Sequence, residues 1–171
     1  MLDREIARSV FVTGLKNAHA MENQALSIMQ PQVNRLTHYP DLSQRLQSHI
    51  AETETQISRL SQVLESLRES NSSMKDTLLS AMGSMAAMGH AVAGDEVLKN
   101  SFANLAFENF EIGAYISLIT AARASGDSHA VALLEQSLDE ERRMAEWVAA
   151  HIPSVTETFI SLKGTGESAK V

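Results

Sequence analysis

The chain runs to 171 residues, 44% of them hydrophobic, with 14 basic and 21 acidic side chains and a net charge of −7. That suits one domain with a sizeable core, and the absence of a basic block argues against nucleic acid as a partner. Cysteine is absent, which excludes disulfides, thiolate metal sites and cysteine nucleophiles.

No stretch approaches the ~18 uncharged apolar residues of a spanning helix, so no membrane role is expected. The opening MLDREIARSV mixes charges of both signs, unlike a secretory signal. A soluble, cytoplasmic protein is the expectation.

Apolar residues recur at spacings of three and four rather than two, which predicts an all-α chain. A first helix is expected over about 4–30, with Val12, Leu15, His19, Glu22, Leu26 and Met29 in one seam. The turn LTHYPDLS follows, where Asp41 or Ser43 can cap a second helix over about 41–68. Its stripe is Leu46, Ile50, Ile57, Leu60 and Leu64. The Met- and Ala-rich segment 73–92 reads as a helical crossover packed in the core or against another copy.

A third helix is expected over about 95–124, a short turn in ASGDS, and a fourth helix over about 128–151. Pro153 then starts a short C-terminal helix, and 163–171 is a polar tail expected to fray. Two antiparallel hairpins joined by a long, partly helical crossover predict a ferritin-like four-helix bundle, one domain over 1–162.

The third helix is apolar, yet it carries Glu108 and Glu111 at its middle. An unpaired buried carboxylate is expensive, so the other helices must supply groups at the same height. The two hairpins overlay: AMENQA (20–25) on AFENFE (106–111), and LQSHIAETE (46–54) on LEQSLDEER (134–142). Glu22 then matches Glu108, and Glu52 matches Glu140.

The midpoint of Glu22 and Glu52 falls at 37, inside the first turn; that of Glu108 and Glu140 falls at 124, at the second. Each glutamate stands about 15 residues, roughly 22 Å, from its turn. Each hairpin thus brings two carboxylates level at mid-bundle. His49 lies one turn before Glu52 on the same face, and Glu111 one turn after Glu108.

The expected centre is Glu22, His49, Glu52, Glu108, Glu111 and Glu140. Glu141 competes with Glu140, because it continues the seam Leu134, Leu138, Ala145, Val148; the repeat favours Glu140. His19 reads as supporting or core, Tyr115 as core, and His38, His90, His129 and His151 as non-functional.

Crowded carboxylates repel one another, and two divalent cations would nearly balance five of them beside a neutral imidazole. Oxygen-rich ligation with one nitrogen suits two iron ions, or manganese. Such a pair can oxidise Fe²⁺ while reducing O₂ or peroxide. The pattern departs from the Glu-x-x-His of ferritin-like di-iron proteins: Thr55 follows Glu52 at that spacing and Arg143 follows Glu140. His49 and Glu111 can stand in.

GLKNAHAMENQAL (14–26), SHIAETETQ (48–56), AFENFEIGAY (106–115) and LDEERRMAEWV (138–148) resemble the YciE/YciF family of bacterial ferritin-like stress proteins. The YciE branch is nearest, through AHAME and NRLTHYPDL, and the likeness spans about 5–162. The resemblance implies a cytoplasmic, homodimeric, ferroxidase-like di-metal bundle. Many relatives of the YciF type carry histidine where this chain has Asn109. The alternative is a bundle that has lost catalysis and serves as a structural or interaction protein.

Overall fold

The computed structural model describes residues 3–69 and 94–169, which form four α-helices. They are α1 (Arg4–Val33), α2 (Pro40–Ser66), α3 (Glu96–Ser125) and α4 (Ser128–Thr165). The expected crossover over 73–92 lies outside the described residues.

Local chemistry sets the helix ends. Asp3 caps α1 by accepting from the backbone N–H groups of Glu5 (2.9 Å) and Ile6 (3.1 Å). At α2 no side chain caps: Pro40 occupies the first turn after Tyr39, where its missing N–H has no partner to lose. Ser43, expected as a cap, instead donates to the Val33 carbonyl at 3.3 Å. α3 ends on Gly126, whose φ of 87° is open to glycine at little cost. Asp127 then caps α4 by accepting from Ala130 N–H at 2.9 Å.

The fourth helix does not break at Pro153. It continues as one 38-residue helix to Thr165. Proline there forfeits one bond, to the Ala149 carbonyl, and both residues are exposed, so water can serve that carbonyl. Buried Val148 and Val155 hold the helix on either side. The tail is also tied down: the Tyr39 hydroxyl donates to the Ala169 carbonyl at 2.8 Å.

The helices occupy the four corners of a bundle. α1 packs on α2 and α3, α4 packs on α3, and the α2–α4 side is the sparsest. α1 and α3 run antiparallel: Gln32 meets Asn104 (3.0 Å) while Gly14 meets Leu118. Leucines and aromatics fill the core on both sides of mid-bundle, with Phe11, Leu15, Leu60 and Leu134 toward one end and Met29, Leu42, Leu46 and Val148 toward the other. What interrupts this core at mid-height is polar.

Gly14 leaves room for the Leu118 side chain of α3. A Cβ there would stand 2.8 Å from Cδ1 of buried Leu118. Valine at position 14 should therefore destabilise the fold by about 1–3 kcal/mol despite its better helix propensity. A chemical-denaturation midpoint equal to that of the parent protein would contradict this packing.

Candidate metal centre

On α3 the expected amphipathicity is inverted. Glu108 and Glu111 are 2% and 1% exposed, whereas Phe102 and Phe110 are 52% and 62% exposed. Burying carboxylates in preference to phenylalanines runs against transfer free energies unless something compensates the charge. α2 contributes an imidazole to that compensation, while α1 and α4 each add a further carboxylate.

The inward row of α2 is Leu46, His49, Thr53, Gln56 and Leu60, all essentially solvent-free. Ile50 and Ile57 are only half-buried, so the face is rotated from the stripe the aliphatic residues alone suggest. α4 turns Glu141 inward with Leu134, Leu138, Ala145 and Val148, and α1 supplies Glu22. His49, Glu108, Glu111 and Glu141 each present a ligand-type atom, all within 4.8 Å of one another. His49 Nε2 lies 3.3 Å from Glu108 Oε2 and 3.4 Å from Glu141 Oε2. Glu22 accepts a 2.5 Å hydrogen bond from the buried Tyr115 hydroxyl.

The structure thus brings together His49, Glu108 and Glu111, joined by Glu141, with Glu22 alongside. It does not bring in Glu52 and Glu140. Glu52 is 28% exposed and accepts from His49 Nδ1 (2.8 Å) and Arg45 (3.1 Å). That bond points Nε2 inward, as an outer carboxylate does for a ligating histidine.

Glu140 takes both Arg59 guanidinium nitrogens, at 2.6 and 2.9 Å, and Gln56 Nε2 at 3.0 Å. The repeat gave the height of Glu140 correctly but not its direction, since adjacent helical residues point about 100° apart. His19, half-buried, meets Ser61 at 3.2 Å and stands apart from the cluster. Sequence reasoning missed Arg45, Thr53, Gln56 and Arg59. The available signal was the spacing 46, 49, 53, 56, 60, which places polar residues on the leucine row.

The electrostatics are strained in one direction. Burial pushes Glu22 and Glu111 well above the carboxylate range, and neighbouring carboxylates add to it, Glu141 foremost for Glu22 and Glu22 for Glu111. Burial likewise raises Glu108 to about 7, against the pull of His49. For His49 burial alone would lower the pKa, but Glu108, Glu141 and Glu52 outweigh it and hold the imidazole well above its ordinary value. Burial would raise Glu141, yet His49 and its other hydrogen-bond partners bring it below the usual range.

The donor set fits a cation. Glu22 Oε2 and both Glu111 oxygens are buried without hydrogen-bond partners, and His49 Nε2, Glu108 Oε2 and Glu141 Oε2 have only the 3.3 and 3.4 Å ion-pair contacts among themselves. Each such atom ordinarily costs about 1–3 kcal/mol. Four carboxylates and a neutral imidazole match two divalent cations in charge. The arrangement can therefore hold a metal ion, and its oxygen-rich character favours hard or borderline metals.

A family model described as "Domain of unknown function (DUF892)" matches residues 7–161. Protein YciF of Escherichia coli K12 is 30% identical over 148 residues, spanning 82% of this chain and 87% of YciF. A crystal structure of a Xanthomonas campestris protein superposes with a TM-score of 0.77 at 30% identity, over 92% of this chain and 99% of the other. That of the E. coli stress protein YciF gives 0.68 at 26% identity, over 89% and 96%. Among the described residues, no helix is long and apolar enough to cross a membrane.

Proposed function

Because the chain belongs to the YciE/YciF family, the family described as DUF892, we propose that it is a ferritin-like protein holding two iron or manganese ions. In this reading it oxidises Fe²⁺ with O₂ or peroxide during stress. The observation that carries the reading is the buried set His49, Glu108, Glu111 and Glu141, each with at least one side-chain atom that makes no hydrogen bond. The description of E. coli YciF as a stress protein supports the physiological setting.

His49, held by Glu52, orients its nitrogen toward the centre; Glu108, Glu111 and Glu141 supply oxygens; Glu22, steadied by Tyr115, supplies a further one. The bound ions would supply redox or Lewis-acid chemistry. The apolar layers above and below exclude bulk water, which strengthens every charge interaction inside.

A second reading, a bundle that no longer catalyses, draws on the arginine pairing of Glu52 and Glu140. Metal analysis of protein purified without chelator, followed by anaerobic Fe²⁺ loading and exposure to oxidant, separates the two. The di-metal reading expects about two ions per chain and ferric absorbance, both lost in Glu108→Ala/Glu111→Ala. A parent protein that takes up no metal leaves the structural bundle.

A further inference from the structure

We propose that Thr53 and Gln56 form the oxidant-binding wall of the centre and that the oxidant they accept is hydrogen peroxide rather than dioxygen. This deepens the ferrous-oxidation reading and rests on it.

Thr53 and Gln56 follow His49 at i+4 and i+7, so the three share one face on consecutive turns of α2. All are buried, Thr53 and Gln56 at 0% exposure. Gln56 Nε2 donates to Glu140 Oε2 at 3.0 Å and to Glu141 Oε1. Both amide hydrogens are thereby used, and the orientation is forced, because a flipped amide would set its carbonyl against two carboxylates. Gln56 Oε1 is left inside the protein with no partner.

The Thr53 hydroxyl has none either. Three other helical threonines donate to the carbonyl one turn back, Thr55 to Ala51 (3.0 Å), Thr120 to Ile116 (2.8 Å) and Thr156 to Ile152 (2.7 Å); Thr13 and Thr158, which do not, are less buried than Thr53. Thr53 does not, and it lies between two residues that approach Glu141.

A buried carbonyl oxygen with no donor selects a ligand that brings an O–H. Hydrogen peroxide offers two such hydrogens and accepts from a hydroxyl as well. Dioxygen offers none and accepts poorly. Peroxide can therefore donate to Gln56 Oε1 or accept from the Thr53 hydroxyl, on the helix face that also carries His49. The chemistry balances as H₂O₂ + 2 Fe²⁺ + 2 H⁺ → 2 Fe³⁺ + 2 H₂O. The O–O bond breaks, two ferrous ions each give one electron, and solvent provides the protons.

Stopped-flow oxidation of anaerobically Fe²⁺-loaded protein by equal concentrations of H₂O₂ or O₂ tests this in the parent, Thr53→Val and Gln56→Met; the methionine removes the acceptor at nearly constant volume and adds no charge. The parent should react about tenfold or more faster with peroxide, the scale of one net hydrogen bond. Each variant should lose most of that preference at unchanged iron stoichiometry. Melting of the metal-free proteins adds a readout without turnover: Thr53→Val should melt higher, since it removes an unpartnered hydroxyl at constant shape.

Comparable rates with both oxidants overturn the peroxide assignment and leave the iron chemistry standing. So does a lower melting point for Thr53→Val. A parent that binds iron but oxidises it with neither reagent removes the ferrous-oxidation reading and this assignment together.

Discussion

Alanine at Glu141 is expected to empty the centre, whereas alanine at the adjacent Glu140 should leave metal content at its original value. Glu141 is wholly buried, sits within 4.8 Å of the other ligand-type atoms and keeps one oxygen unpartnered. Its loss removes a carboxylate from the set and should weaken metal binding by more than the about 10- to 100-fold typical of outer-shell changes.

Glu140 is committed to Arg59, with Gln56 between it and the cluster. Its removal strands a partly buried guanidinium, a cost of about 1–3 kcal/mol in stability, with at most an outer-shell effect on metal. Elemental analysis beside a melting curve distinguishes the two variants. Loss of metal from Glu140→Ala with retention in Glu141→Ala would reverse the assignment and show that the arginine pair opens when metal arrives.

Height along the bundle was legible in the sequence because helical rise and turn position fix it. The turns at 34–39 and 126–127 place the glutamates at mid-bundle without knowledge of packing. Direction around each helix axis was not. On α4, aligning the two hairpins favoured Glu140, but the row through Leu134, Leu138, Ala145 and Val148 faces the core and carries Glu141 with it.

On α2, counting aliphatic residues drew the inward face toward Ile50 and Ile57. The true row contains His49, Thr53 and Gln56, polar groups that an apolar tally discards. Pro153 misled for a related reason: its intrinsic cost of about 3 kcal/mol is local, and the packing of Val148 and Val155 against the bundle exceeds it. The pairing of Arg59 with Glu140 depends on side chains meeting across two helices, and no single-helix pattern encodes it.

The second large effect expected is a melting temperature that falls as pH rises, with metal offsetting part of that fall. In the metal-free protein, Glu22, Glu108 and Glu111 have pKa values raised by burial. Between about 4.5 and the folded value, about 7 for Glu108, the native state holds protons that the unfolded chain has released. Stability therefore falls as pH rises through that window, at up to ~1.4 kcal/mol per pH unit for each group. His49, also raised, acts the same way above its ordinary 6.5. Glu52 and Glu141, lowered mainly by their contacts with His49, act oppositely, but only below the ordinary carboxylate range.

The metal-free protein should accordingly melt highest near pH 5 and progressively lower toward pH 8. Divalent metal needs the deprotonated ligands, so its binding releases protons and strengthens as pH rises. With Mn²⁺ at about a hundred times its dissociation constant, the gain at pH 8 should be about 5–10 °C, shrinking toward zero at pH 5. Melting curves at pH 5, 6.5 and 8, with and without Mn²⁺, measure both slopes. A metal-free melting point that rises toward pH 8 would mean that the central carboxylates are solvated or permanently ion-paired, and the case for a cation at this site would fall with it.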